Sequence, residues 1–411
     1  MATATSKAVP AGPAHVAVVS FLAARAAPSG GFWIALAGGV ALARVAQRRG
    51  ARPGFGASIA AMLETVAIIG PARFGIPLTQ AMTAPLLGRL EARGWRPLPQ
   101  VAVCTLLRIL HNGITTAFFI WVITGGLDAY AGTYDAIGRR IGLDVGTADA
   151  LVLTAIGLLV WGVFASVVQV LVYRRGLAQW PDEEDEGNVD GDIGRQRTTR
   201  DADARRRFDP RAITLTAAVL FVVLLASTEW IVLATVAVVL AAAWAICRPD
   251  REPLPTGLLF AAILALGALI FALGGGLGIE VALRRALRAA LIVMVATWLR
   301  AAAGAEGLRE VFRRLLGRLR AIPSLPEAVQ VLDRIAAEGR LAAAARSLAD
   351  QLRDVPLRPV PFCDAVLAWV VSEARTFRAQ PPATPARLTL RPLDVLLVVP
   401  VASALAALAI A

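Results

Sequence analysis

Lysine is almost missing from this chain. Lys7 stands alone, and the remaining basic residues, in a Lys plus Arg total of 42, are arginine. No Gly-x-x-x-x-Gly-Lys loop exists, so the chain does not itself hydrolyse ATP by the commonest phosphate-cradling device. Histidine is nearly as scarce: only His15 and His111 are present. Cys104, Cys247 and Cys363 lie far apart without ligand spacing, which argues against a disulfide framework, a metal site and any metal cofactor. No serine or carboxylate has a base partner at recognisable spacing, so the chain is not expected to be an enzyme.

Charge is also sparse, at 18% of residues against 57% hydrophobic, with a mean hydropathy of +0.64. Soluble domains carry more charge than this, so the composition defines an all-α polytopic membrane protein. The net charge of +12 does not point to nucleic acid, because the arginines sit in short loops beside apolar runs, where topology already accounts for them. The arginine, alanine and glycine bias suits a bacterial inner-membrane protein.

The apolar runs fall at 14–27, 31–47, 55–70, 72–88, 99–124, 148–173, 211–228, 230–247, 254–274, 279–300 and 392–411. Read as spans they number about eleven, several shorter than the roughly 20 residues a bilayer crossing needs. Lys7 ahead of the first run, with further runs following, reads as a first membrane segment rather than a cleaved signal. Arg44–Arg52, Arg89–Arg96, Arg174–Arg175, Arg195–Arg211, Arg248–Arg251 and 300–391 are then expected in the cytoplasm, with the N-terminus. The turns at Gly70-Pro71, 227–229 and 274–278 lack basic residues and belong outside; only Arg139-Arg140 conflicts.

Two membrane domains are expected. Residues 1–178 form a six-helix unit, 179–207 a charged cytoplasmic linker (acidic to Asp192, basic from Arg195), and 208–411 a second unit with cytoplasmic helices at 305–378. Within 305–378, Leu308, Val311, Phe312, Leu315, Leu316 and Leu319 mark an amphipathic helix. Ala328, Val331, Leu332 and Ile335 mark a second, and a third runs from about Phe362 to Arg375. Such basic helices suit either an anionic lipid surface or a docking platform for a soluble partner.

From Phe208-Asp209-Pro210-Arg211 onward the chain resembles the transmembrane T component of energy-coupling factor transporters, the cobalt-transport permease family. The likeness continues through paired apolar helices split at 227–230, Ala282 to Arg288, Gly307 to Leu316, and Arg391-Pro392-Leu393-Asp394 before a final span. That resemblance implies an importer subunit coupling separate cytoplasmic ABC-type ATPase subunits to uptake of a vitamin or transition metal ion. It further implies ATPase contacts at small-Arg-small motifs, for which Arg340, Arg346 and Arg375 are the candidates. The segment after Pro323 is shorter than the family's, and no candidate is an Ala-Arg-Gly. The first unit would then match a substrate-binding S component, a role a separate membrane subunit could also fill. The alternative is a non-transporting membrane scaffold or lipid-surface protein.

In the first unit, Glu64, Arg73, Arg108, His111 and Asn112 interrupt apolar runs, and charged groups there usually face an interior or cavity. They are candidate substrate-binding residues. The competing reading is an internal ion pair such as Glu64 with Arg108. Pro71, Pro77 and Pro85, with Gly70 and Gly75, point to broken or re-entrant helices.

Overall fold

The computed structural model describes residues 10–27, 30–71, 77–140, 142–180, 208–249, 251–319, 322–335, 338–377 and 391–410. The linker from 181 to 207, Arg73 and Gly75 lie outside the described residues. Every regular element described is helical: α1 (Gly12–Ala26), α2 (Gly31–Arg49), α3 (Ala51–Ile69), α4 (Pro77–Ala92), α5 (Pro97–Phe118), α6 (Leu127–Arg140) and α7 (Thr147–Gln179). The second half adds α8 (Pro210–Ala226), α9 (Trp230–Cys247), α10 (Leu254–Gly274), α11 (Ile279–Arg318), α12 (Leu325–Leu332), α13 (Glu338–Gln351), α14 (Pro359–Thr376) and α15 (Val398–Ile410). A π-helical turn, Phe119–Thr124, extends α5, and a 3-10 turn, Pro392–Leu397, leads into α15. The expected all-helical membrane protein is therefore what the fold presents.

Among the described residues, six helices are long and apolar enough to cross a membrane: α5 with its π turn, α7, α9, α10, α11, and α15 with its 3-10 turn. Apolar α8 is shorter, at 17 residues. These helices turn large apolar side chains outward, including Leu106, Leu110, Ile156, Val160, Leu259, Ile263, Leu266 and Val238. In water such a belt would associate; in lipid it is the favoured surface.

Helices α1 to α3 are not among those six. From Ala14 to Ala23 and from Ile34 to Ala46 nearly every residue is buried, and α1 and α2 are covered all round by protein. Their core is shared with α12, α13 and α14, through Leu325, Val331, Leu341, Leu348, Phe362 and Val366. Glycines permit the close approach. A Cβ on Gly38 would sit 2.5 Å from the Ser20 Cβ, and one on Gly39 would overlap the Tyr173 hydroxyl on α7.

Helix α3 fixes where this packed block lies. Its last turn touches Arg300, its middle touches Arg309, and its first turns touch Ser324 and Glu327. It thus runs alongside the part of the chain that follows the apolar stretch of α11. The Gly70-Pro71 turn consequently stands at Arg300, not at the opposite end of the bundle where sequence topology puts it. A packed helical core and a bilayer ask for the same apolar composition, so composition alone does not distinguish the two for α1 to α3.

The second half follows its sequence pattern closely. Asp209 caps α8 by accepting from the Arg211 amide at 2.8 Å and grips the Arg211 guanidinium in a fork. Asp394 Oδ1 accepts from the Asp209 amide at 2.8 Å and Asp394 Oδ2 from the Arg391 amide at 2.7 Å. The two Pro-containing motifs at opposite ends of this half are thereby knotted together. At Gly304 the backbone leaves helical geometry (φ +67°), a value open to glycine, so α11 kinks between its apolar stretch and its arginine-rich one. Beyond the kink the expected apolar face is divided: Leu308 and Leu316 are buried, whereas Leu315 and Leu319 are exposed.

Candidate functional site

Of the five residues expected to bind substrate, Arg73 lies outside the described residues, and Glu64 is separated from Arg108, His111 and Asn112 by the partners each has taken. Glu64 is fully buried on α3 and is gripped by Arg309, whose Nε donates to Oε2 at 2.7 Å while Nη2 donates to Oε1. The expected Glu64–Arg108 pair is not formed. Arg309 becomes the partner because α3 lies along α11 beyond the kink, and a forked guanidinium satisfies both oxygens of a carboxylate taken out of water.

Nearby, Arg300 donates from Nε to the Ile68 carbonyl at 2.6 Å and from Nη2 to Glu338 at 2.5 Å. It closes the open C-terminal end of α3 and ties that end to α13. Glu310 accepts from Arg313 and Arg314, and Arg313 also lies 3.6 Å from Asp333. Burial pushes the Asp333 and Glu338 carboxyls up from their ordinary values, opposed by Arg313 and Arg300 respectively. Asp209 behaves oppositely: despite the upward push of burial, hydrogen bonds from Arg211 hold it below the usual carboxylate range.

The platform arginines named from the sequence are presented outward. Arg340 and Arg346 on α13 and Arg375 near the end of α14 are all exposed, while Leu341, Ala345 and Leu348 on the inner face of α13 are buried. Arg346 Nε folds back onto the Ala342 carbonyl at 3.3 Å.

Arg108 and His111 do come together, through α4 and α7. Arg108 Nη2 donates to Gln169 Oε1 at 2.7 Å, Gln169 Nε2 donates to Thr83 Oγ1 at 2.6 Å, and Thr83 donates to the Thr79 carbonyl at 2.7 Å. The Thr79 hydroxyl lies 2.8 Å from His111 Nδ1, and Asn112 hydrogen-bonds to the His111 ring. Among the described residues no carboxylate pairs with Arg108, and its Nε, Thr105 Oγ1 and Ser166 Oγ are buried without partners. The arrangement can hold an anionic or polar group, or ordered water, between α4, α5 and α7. Gln169, Thr79 and Thr83 escaped the sequence reading because an amide or hydroxyl in an apolar run carries little signal. Arg309 escaped because it is 245 positions from Glu64.

At the other end of the bundle, Arg285 and Arg288 of α11 donate to carbonyls at the π-helical end of α5, and Arg284 lines the same recess. Among the described residues no cluster of His, Cys, Asp and Glu is suited to a metal ion.

The fold and these sites define a multi-pass α-helical membrane protein with an attached helical block rich in arginine–carboxylate links. Comparison with protein-family models, with curated proteins and with solved structures gave no match.

Proposed function

We propose that this protein is a membrane subunit of an energy-coupling factor type ABC importer of the bacterial cytoplasmic membrane. It would pass motion from separate cytoplasmic ATPase subunits to the uptake of a micronutrient, a vitamin or a transition metal ion. The observation that carries this reading is mechanical. α13 and α14, whose outer faces bear Arg340, Arg346 and Arg375, share a core with α1 and α2, and that block is latched through Glu64–Arg309 and Arg300–Glu338 to α11 on either side of its kink. A push on the platform would therefore reach a spanning helix through these two links, of which Glu64–Arg309 is the buried one.

In this reading α5, α7, α8, α9, α10, α11 and α15 cross the membrane, seven rather than about eleven helices. The 17-residue α8, at about 1.5 Å per residue, is short but tolerable with local thinning. The block of α1 to α3 with α12 to α14 stands on the cytoplasmic side, together with the N-terminus and every long basic segment. α6, with Arg139, then lies outside, tethered by the Thr133 hydroxyl donating to the Phe271 carbonyl at 2.8 Å. Since α1 to α3 belong to the block, substrate recognition is assigned to a separate membrane subunit, with the Arg108 chain of bonds as this subunit's own polar feature.

The test is co-purification and uptake with Arg346→Ala/Arg375→Ala. Loss of ATPase recovery and of uptake, with the protein still inserted, is the expected result; unchanged recovery and uptake would overturn the coupling role. A scaffold or lipid-surface reading also has an observation in its favour. Leu315, Leu319, Ile322, Leu357 and Val360 are all about half exposed on the arginine-bearing block. Recovery of anionic lipid and no ATPase at any salt concentration would favour it.

A further inference from the structure

The opposite end of the bundle carries an arrangement that coupling does not use. α11 begins at Ile279, and Arg284, Arg285 and Arg288 follow within its first three turns. They line a recess of about 210 Å³ with Trp121 and Gly125 of the first half, Thr228 from the turn before α9, and Val281. Three guanidinium groups here face two carboxylates, and both carboxylates are on Arg284. Its Nη1 donates to Glu229 at 3.1 Å and its Nη2 to Glu280, with the Trp230 ring 5.9 Å away.

Arg285 and Arg288 have backbone carbonyls instead. Arg285 donates to Thr124 and, at 3.0 Å, to Gly125; Arg288 donates to Val122. These carbonyls belong to the open end of the π-helical turn, where the helix presents only a fraction of a negative charge. Among the described residues no acid pairs with either arginine. Arg288 is 5% exposed, and its Nε is buried without a partner, as is that of Arg284. Two full cations one helical turn apart are thus offset by partial charges alone, in a wall that includes the outward-facing Trp121. A guanidinium held only by carbonyls at such a place keeps an attraction for an anion.

We propose that this recess binds a phosphate-bearing anion, held by the forked donors of Arg285 and Arg288. Arginine matches phosphate oxygens in pairs, and irregular helical turns recur at such sites. Arg285 and Arg288 sit six and nine residues into α11, roughly 9 to 14 Å along its axis and close to that end of the bundle, where both a lipid headgroup and a soluble anion have access. The phosphate therefore has two possible sources, an anionic phospholipid or a soluble phosphate.

The experiment uses full-length protein purified in a zwitterionic detergent and stripped of lipid. Thermal stability is followed while inorganic phosphate is added at constant ionic strength, and separately while phosphatidylglycerol or phosphatidylcholine is added. Wild type, Arg285→Gln and Arg288→Gln are compared, with Arg288→Lys as the variant that keeps the charge and Arg353→Ala, at an exposed arginine on the distant block, as a control. A saturable rise with inorganic phosphate, its midpoint about tenfold or more weaker in Arg288→Gln and partly restored in Arg288→Lys, identifies a soluble phosphate site. A rise with phosphatidylglycerol but not with phosphatidylcholine or inorganic phosphate, weakened in the same order, identifies a lipid headgroup site. No response, or responses equal in wild type and Arg288→Gln, overturns the proposal. If Arg288→Gln fails to fold, Arg285→Gln and Arg288→Lys give the same discrimination.

Discussion

Helix α11 joins the two halves of the molecule twice, and it uses arginine both times. On one side of its kink and beyond, Arg300 and Arg309 meet Glu338 and Glu64, so each cation has an acid. Near its start, Arg285 and Arg288 meet only carbonyls. The chemistry of the donor is the same and the acceptor differs. A neutralised pair is complete within the protein and has no further ligand to attract, so it serves as a latch. A cation held by carbonyls is oriented but not neutralised, so it keeps its pull on an anion. The comparison predicts that the two seams respond differently to removal of a side chain, to acid and to salt.

The largest effect should come from Glu64→Ala. Glu64 is fully buried, and its removal leaves Arg309 charged with only 20% of its side chain exposed. Breaking a buried pair from one side typically costs about 3–5 kcal/mol. We expect a clearly lowered thermal midpoint in detergent, with Glu64→Ala/Arg309→Leu recovering most of the loss because no charge is then stranded. If the double variant were no better than the single one, the latch interpretation would be wrong. At the other seam, Arg288→Leu strands no charge and only unpairs a carbonyl, so the expected cost is smaller, about 1–2 kcal/mol. Equal losses for Glu64→Ala and Arg288→Leu would erase the distinction between the seams.

Next in size is the Asp209 cap. Loss of such a cap costs about 0.5–2 kcal/mol, and Asp209→Asn keeps part of it while giving up the fork to Arg211. Because Asp209 is held below the usual carboxylate range when folded, its contribution is fully present above the unfolded value and disappears as pH falls through the folded one. Thermal midpoints measured down through the acid range should therefore fall more steeply in wild type than in Asp209→Asn. Acid should not release Arg285 or Arg288 from their carbonyls, since no partner carboxylate is there to take up a proton.

Much of this architecture was legible in the sequence. The runs at 230–247 and 254–274 are long, apolar and bounded by arginine or glycine, and they fold as α9 and α10 with the same limits. Ala328, Val331, Leu332 and Ile335, read as one helical face, are all buried, although the helix closes at Leu332 and α13 starts afresh at Glu338. Composition could not tell whether the runs of α1 to α3 are covered by lipid or by protein, because burial against protein selects the same side chains as burial in lipid. Length marks only α1, at 15 residues, as short for a crossing; α2 and α3 have 19 residues each, one more than α9. The buried pairings were not legible, since Glu64 and Arg309 meet only after the chain has folded back over hundreds of residues. The sequence named Arg108, an arginine in another apolar run of the same unit, as an example of a partner for Glu64, and packing supplied Arg309.

The smallest effect should be at Arg175. This arginine at the end of α7 forks onto Asp364 of α14, with both bonds at 2.7 Å, so by geometry it is a latch between spanning helix and block, like Arg309. By environment it is not, because about half of the arginine and a third of the aspartate side chain remain exposed. Water already solvates both charges, little desolvation has been spent on the pair, and salt screens what attraction is left. Arg175→Ala should shift the thermal midpoint slightly at low ionic strength and not at all at high ionic strength, whereas the loss in Glu64→Ala should persist in both. A salt-resistant loss at Arg175 as large as that at Glu64 would mean that fork geometry, and not burial of the charge, decides which arginine contacts hold the block to the membrane helices.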